Sequence, residues 1–286
     1  MNALAPDLSV RGRLPSFLLI GATKCGTTSL HDWMTRHPDI FIHPMKEMRF
    51  FLPGFRWEKG MDWYRGQFAE VGSAMAWGEA SNGYGRGADY PGAPEKIAAA
   101  MPDVRLVYVV RDPLKRLISH YRHRLVTGRE WRDPAAAIRA DNSYVETGRY
   151  GAELTRWLRH FDRAQILVLR SERLFAEPVG QLARLAAHLG VPDRPDLPLR
   201  AENRATDRTV MPRALRLALG PLGGQRVAKR VAAQLNRLPT GLLPTASSMS
   251  VDLPETLLKE LRGIYEADRK ALAALIPAED CDWSFV

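Results

Sequence analysis

The stretch Phe17-Leu-Leu-Ile-Gly-Ala-Thr-Lys-Cys-Gly-Thr-Thr-Ser-Leu30 constrains this chain more than any other, because a continuous apolar run ends there in a glycine-bounded loop followed by hydroxyl residues. An unbroken apolar run of this kind predicts a strand buried on both faces, and the residues after the loop predict the start of a helix. Gly21 and Gly26 bracket four residues, a spacing that lets backbone N–H groups turn inward around an anion, helped by the positive end of the helix dipole.

The loop departs from that of a nucleotide triphosphatase, which carries lysine directly after its second glycine. Here Thr27 fills that position and the loop's lysine, Lys24, lies between the glycines. A second patterned stretch follows at Val107-Tyr-Val-Val-Arg-Asp-Pro-Leu-Lys-Arg-Leu-Ile-Ser-His-Tyr121. It reads as a strand, an Arg111-Asp112-Pro113 corner with proline at the first helical position, and a helix that carries Ser119 two turns in. Strands alternating with helices imply a parallel sheet with crossover connections, and ligands of such sheets bind beyond the carboxyl ends of the strands.

With Lys24 inside the loop and Thr27-Thr28-Ser29 after it, the first stretch resembles the 5′-phosphosulfate loop of sulfotransferases that use 3′-phosphoadenosine 5′-phosphosulfate (PAPS). The second resembles their 3′-phosphate element. The resemblance runs from about residue 16 to Asp282-Trp283 and is weak after about residue 200. It implies an α/β fold, a single P-loop-like domain over residues 16–286 with a central parallel sheet flanked by helices, preceded by a flexible arm over residues 1–15.

PAPS is the implied donor and 3′-phosphoadenosine 5′-phosphate (PAP) the product. Donor contacts fall to Lys24, Cys25, Gly26, Thr27, Thr28, Ser29, Arg111 and Ser119, with Tyr150 at a helix start and Arg213 in a variable basic region, residues 200–250, that closes over the donor. Lys46-Glu47-Met-Arg49-Phe50-Phe51 resembles the Lys-Glu-x-His-Phe-Phe element of glycan sulfotransferases, which makes Glu47 the general base. Arg49 stands where histidine is common and suits an anionic acceptor. Gly78-Glu79-Ala80-Ser81-Asn82-Gly83-Tyr84 resembles an element lining the cleft between donor and acceptor, and Ser81 and Tyr84 join Glu47 and Arg49 as expected acceptor-binding residues, while Asn82 replaces the usual proline. His43 and His31 are alternative bases near Glu47. In this scheme Lys24 neutralises charge on the departing phosphate and no metal is required.

Two other readings of the residues stand beside this one. A P-loop kinase or nucleotide triphosphatase would use Asp112 as an imperfect metal-site acid. A non-enzymatic basic protein would bind nucleic acid through the arginines between Arg200 and Arg237, but that reading leaves both phosphate motifs unexplained, so no nucleic-acid partner is expected. The net charge of +9 and pI of about 9.8 favour an anionic partner without choosing among nucleotide, anionic glycan, nucleic acid and membrane surface. Two cysteines exclude a disulfide scaffold and suit a reducing compartment. No run reaches the ~18–20 apolar residues of a membrane span, and cytoplasmic location is expected, with peripheral membrane contact left open. The acceptor's identity and the oligomeric state are not readable from the chain.

Elsewhere the pattern is structural. Leu30, Trp33 and Met34 recur at helical spacing up to His37-Pro38, where the residue before proline leaves the helical region. Residues 39–42 predict a short strand. Phe55, Trp57, Trp63, Tyr64 and Phe68 read as a short helix packed on the core, and residues 85–94 as a loop beside the acceptor site. Residues 131–149 read as polar and irregular. Further strand and helix patterns cover residues 165–169, 179–189 and 253–275, and Trp283 reads as a docking element.

Overall fold

The computed structural model describes residues 12–201, 210, 234, 245 and 249–284. Five strands, β1 (Phe17–Gly21), β2 (Ile40–Ile42), β3 (Ala76–Ala80), β4 (Arg105–Val110) and β5 (Ile166–Arg170), form one sheet in the order β2-β3-β1-β4-β5. Every pairing is parallel. The fold is therefore α/β with a central parallel sheet and flanking helices, as the alternating pattern implied. Central strand β1 is buried along its whole length, which is why its sequence is continuously apolar rather than alternating.

The chain divides into two compact units. The first holds the sheet with α1 (Thr27–Arg36), α2 (Gly60–Gly66), α3 (Ala93–Ala100), α8 (Ser171–Ala176) and α9 (Pro178–Leu189). The second holds α4 (Pro113–Val126), α5 (Pro134–Ala140), α6 (Ser143–Glu146) and α10 (Glu255–Ala273), and the boundary falls inside α7 (Tyr150–Trp157). Its core gathers Leu117, Tyr121, Leu125, Ile138 and Tyr144 against Leu257, Leu261 and Tyr265. Residues 131–149 thus contain two short helices where sequence suggested irregular chain. Pro134 opens one of them, and Asp141 Oδ1 accepts from the Ser143 amide at 2.9 Å just before the other; a proline at the first turn and a local acceptor suffice where apolar periodicity is too short to register.

In the first unit the residues before β1 are tied to Trp77. The Ser16 amide donates to Trp77 O at 2.8 Å, Trp77 Nε1 donates to Leu14 O at 2.7 Å, and Arg13 lies over the indole at 5.4 Å. Phe50 stacks on Tyr64 with ring centroids 4.3 Å apart. Tyr64 and Phe68 are buried, whereas Phe55 and Trp57 are over a third exposed.

Gly26 enters α1 with φ 95°, and a Cβ there would stand 3.0 Å from the Phe175 ring of α8. Gly26→Ala is expected to cost about 1–2 kcal/mol, the usual penalty for an L side chain in the left-handed region, measured by chemical denaturation. An unchanged unfolding midpoint would contradict this account of the loop.

Candidate active site

The carboxyl ends of β1, β2 and β3 converge because backbone pairing continues past the strands themselves. The Ala22 amide donates to Val109 O at 2.7 Å, Ser81 to Leu19 O at 3.0 Å, His43 to Gly78 O at 2.8 Å and Glu47 to Ala80 O at 2.7 Å. These bonds hold the Gly21–Gly26 loop, the Glu47 segment and the Ser81 corner at one edge. Lys24, Glu47 and Arg49 have φ of 71°, 61° and 54°, and among the described residues they are the non-glycine residues with positive φ. Such backbone costs energy and concentrates where the surroundings over-determine it, often at functional sites.

Glu47 is fixed by three donors. Its Oε1 accepts from Asn82 Nδ2 at 2.7 Å and from the Asn82 amide at 3.2 Å; its Oε2 accepts from Arg49 Nε at 3.0 Å. A proline at position 82 would supply neither Asn82 donor. Arg49 also lies over the Phe55 ring at 5.0 Å, and its amide donates to Ser81 Oγ at 2.8 Å.

Behind this surface sits Glu79, which is fully buried. It accepts from Ser81 Oγ at 2.6 Å, Tyr84 Oη at 2.6 Å and Tyr64 Oη at 3.3 Å. Burial raises its pKa to about 7, the three hydroxyl donors oppose that rise, and Glu47 adds to it. Burial, followed by the Glu79 charge, likewise pushes the Tyr64 and Tyr84 phenols up. Ser81 and Tyr84, expected at the acceptor, thus have their hydroxyls on Glu79, from which they brace Arg49 and Phe51; the Phe51 amide lies 3.5 Å from Tyr84 Oη.

Lys46 Nζ donates to Thr28 Oγ1 in the first turn of α1. Its pKa falls to about 8, mainly through burial; Glu47 opposes the fall and Lys24 adds to it. His31 Nε2 is 3.2 Å from His43 O, and burial lowers the pKa of both rings below 6.5, which leaves them neutral at neutral pH. Cys25 is buried, as are Thr27 and Ser29.

In the second unit, Arg111 directly follows β4 and Ser119 lies in the second turn of α4, both half-buried. Asp112 caps α4, its carboxylate accepting from the Lys115 amide at 2.9 Å. That engagement suits a structural corner better than a metal site. Tyr150 is buried, its ring 5.8 Å from that of Trp283. Arg213 lies outside the described residues. Among the described residues, no cluster of three or more His, Cys, Asp or Glu could hold a metal ion, and no helix is long and apolar enough to cross a membrane.

Sequence reasoning passed over Lys46, Glu79 and the role of Asn82. Lys46 is separated from Thr28 by 18 residues and Asn82 from Glu47 by 35, so no local pattern announces these pairs. Glu79 lies in Ala76-Trp-Gly-Glu79-Ala80, a stretch without strand periodicity, so its burial was not announced either.

Comparison with known proteins places the chain in a family. A family model described as "Sulfotransferase domain" matches residues 14–204, and the chain belongs to the PAPS-dependent sulfotransferase family. The crystal structure of a sulfotransferase from Alicyclobacillus acidocaldarius superposes with a TM-score of 0.65 at 25% identity, covering 92% of this chain and 96% of that one. Heparan sulfate glucosamine 3-O-sulfotransferase 3B1 of Mus musculus is 32% identical over 189 residues, 63% of this chain and 47% of its own. The bifunctional heparan sulfate N-deacetylase/N-sulfotransferase 2 of Bos taurus is 28% identical over 200 residues, 63% of this chain and 22% of its own. The chain thus spans less than half the length of these curated relatives.

The Glu79 pKa of about 7 against 4.5 for an ordinary glutamate means that the fold opposes its ionisation. Its contribution is intact below about pH 4.5 and is lost as pH rises through about 7, a change of about 3 kcal/mol at ~1.4 kcal/mol per pH unit. Glu79→Gln is expected to flatten that component, read from chemical denaturation of both proteins across the window. A stability difference between them that does not vary with pH would contradict the assignment.

Proposed function

We propose that this chain moves the sulfuryl group of PAPS to a hydroxyl or amine of a carbohydrate or glycosylated small molecule. The observation that carries the reading is the bond from Lys46 to Thr28, which ties the segment bearing Glu47 to the first turn of the helix behind the phosphate-type loop. A base and an anion cradle then serve one reaction centre. The Mus musculus and Bos taurus relatives are named for 3-O- and N-sulfation of heparan sulfate; those names support a sugar acceptor here, and Arg49 beside Glu47 adds positive charge where an anionic acceptor would approach.

In the proposed step the acceptor oxygen or nitrogen attacks sulfur and its proton passes to Glu47. The bond between sulfur and the bridging oxygen breaks, and that oxygen leaves on PAP with the electron pair. Like phosphoryl transfer, this chemistry rests on in-line positioning and charge stabilisation. Lys24 opposes the charge gathering on the bridging oxygen, while the Gly26 to Ser29 turn holds the 5′-phosphate. Asn82 and Arg49 aim the Glu47 carboxylate, so that little rearrangement precedes proton transfer. For the donor's 3′-phosphate the proposal rests on sequence resemblance alone and names Arg111 and Ser119.

A labelled-PAPS transfer assay with glycan acceptors tests the roles. Lys24→Ala is expected to lower turnover by about 10²–10³, the scale for losing one preorganised charge stabiliser; near-full turnover would remove Lys24 from the chemistry. Glu47→Gln is expected to retain PAP binding by calorimetry while losing most of its turnover, as general-base loss does at about 10²–10⁴. An active Glu47→Gln enzyme would move the base elsewhere.

A further inference from the structure

Glu79 is a fully buried carboxylate that the reaction scheme leaves unused. The directions of its hydrogen bonds follow from what surrounds each donor. Ser81 Oγ lies 2.6 Å from Glu79 Oε2 and 2.8 Å from the Arg49 amide nitrogen. An amide only donates and a hydroxyl has one proton, so Ser81 accepts from Arg49 and gives its proton to Glu79. Tyr84 Oη, 2.6 Å from Glu79 Oε1, likewise faces the Phe51 amide at 3.5 Å and turns its proton to the carboxylate. Tyr64 Oη adds a longer bond to the same Oε1 at 3.3 Å. Three inward donors, two of them at 2.6 Å, fit an ionised acceptor.

The two oxygens of Glu79 differ in what a proton would do. Oε1 accepts from two hydroxyls and Oε2 from one, so Oε2 is the more basic. Protonated there, Glu79 donates to Ser81 Oγ, and the Ser81 hydroxyl loses the acceptor of its own proton and has to turn. The Arg49 amide is bonded to that same oxygen, Arg49 holds left-handed backbone at φ 54°, and its Nε donates to Glu47 Oε2. We propose that Glu79 is a positioning residue: ionised, it keeps the Ser81 hydroxyl turned inward and so holds Arg49 and the Glu47 carboxylate, whereas a proton on Oε2 releases that chain and slows transfer. This inference rests on the sulfotransferase reading above. The titratable groups facing Glu79 are Tyr64 from α2, Tyr84 from the corner after β3 and Glu47 from the segment after β2. Burial keeps both phenols protonated. Burial, with Glu47 adding to it and the hydroxyl donors opposing, sets the Glu79 transition at about 7. Stability thus favours the protonated form and alignment the ionised one.

Turnover of the wild-type protein, Glu79→Gln and Ser81→Ala, followed across pH with labelled PAPS and one glycan acceptor, is the test. Glutamine cannot ionise, and titrations common to two proteins cancel in the ratio of their kcat values. The ratio of wild type to Glu79→Gln is expected to rise from near one at about pH 5.5 to roughly tenfold at about pH 8.5, a fraction of what a general base contributes, with its midpoint near the Glu79 value of about 7. Ser81→Ala, which keeps the carboxylate but lacks the hydroxyl, is expected to follow the same course and to leave Glu79→Gln without further effect in the double variant. A ratio that does not vary with pH, the mark of a merely structural carboxylate, would overturn the proposal, as would a Ser81→Ala enzyme that keeps the wild-type profile. PAP affinity within about threefold of wild type is the check that each variant has folded; if Glu79→Gln does not fold, the Ser81→Ala profile decides alone. A wild-type protein that transfers no sulfuryl group at any pH would instead overturn the sulfotransferase reading itself.

Discussion

The structure depends on a single constraint, the burial of β1 between β3 and β4 in a fully parallel sheet. Buried along its whole length, β1 carries no polar side chain, so its chemistry is displaced to its carboxyl end. There the neighbouring strands deliver their own first loop residues into register, through the bonds from Ala22 to Val109, Ser81 to Leu19 and Glu47 to Ala80. The site is therefore an extension of the sheet's hydrogen-bond ladder rather than a set of independent loops. That origin explains how Glu47 and Arg49 keep left-handed backbone at a cost of order 1–3 kcal/mol each: their amides are held by Ala80 O and Ser81 Oγ.

Electrostatics divides the same edge into layers. Glu79 lies deepest, with three hydroxyl donors and no exposure. Above it, Ser81 passes the carboxylate's pull on to the Arg49 backbone, and Arg49 with Asn82 orients Glu47. The outer layer is cationic, with Lys24 and Lys46 acting on one another. A buried polar network that is fully satisfied is rigid. Here the satisfied part, Glu79 with its three hydroxyl donors, fixes the Arg49 amide through Ser81.

Much of this was legible in the chain, for reasons that differ by element. The continuous apolar run of β1, the Gly21–Gly26 spacing and the strand before Arg111 are local patterns, and each appears where sequence placed it. The resemblance of Lys46-Glu47-Met-Arg49-Phe50-Phe51 to a glycan sulfotransferase element marked Glu47 as well. β3, with an indole and a carboxylate among small residues, shows no strand periodicity, and its identity comes from pairing with β1 and β2. Lys46 on Thr28 and Asn82 on Glu47 are products of tertiary proximity alone. Sequence resemblance assigned Tyr84 and Ser81 to the acceptor, yet the partner of their hydroxyls, Glu79, emerges only when the strand's burial is known.

The central claim is that the Gly21–Gly26 loop and the helix after it form a site for a phosphosulfate nucleotide rather than for a nucleoside triphosphate with magnesium. Parallel calorimetric titrations of the purified protein with PAP and with ATP plus magnesium test it most directly. The account predicts saturable PAP binding and little heat from ATP with magnesium. Tight magnesium-dependent ATP binding without affinity for PAP would contradict it and return the loop to the kinase class.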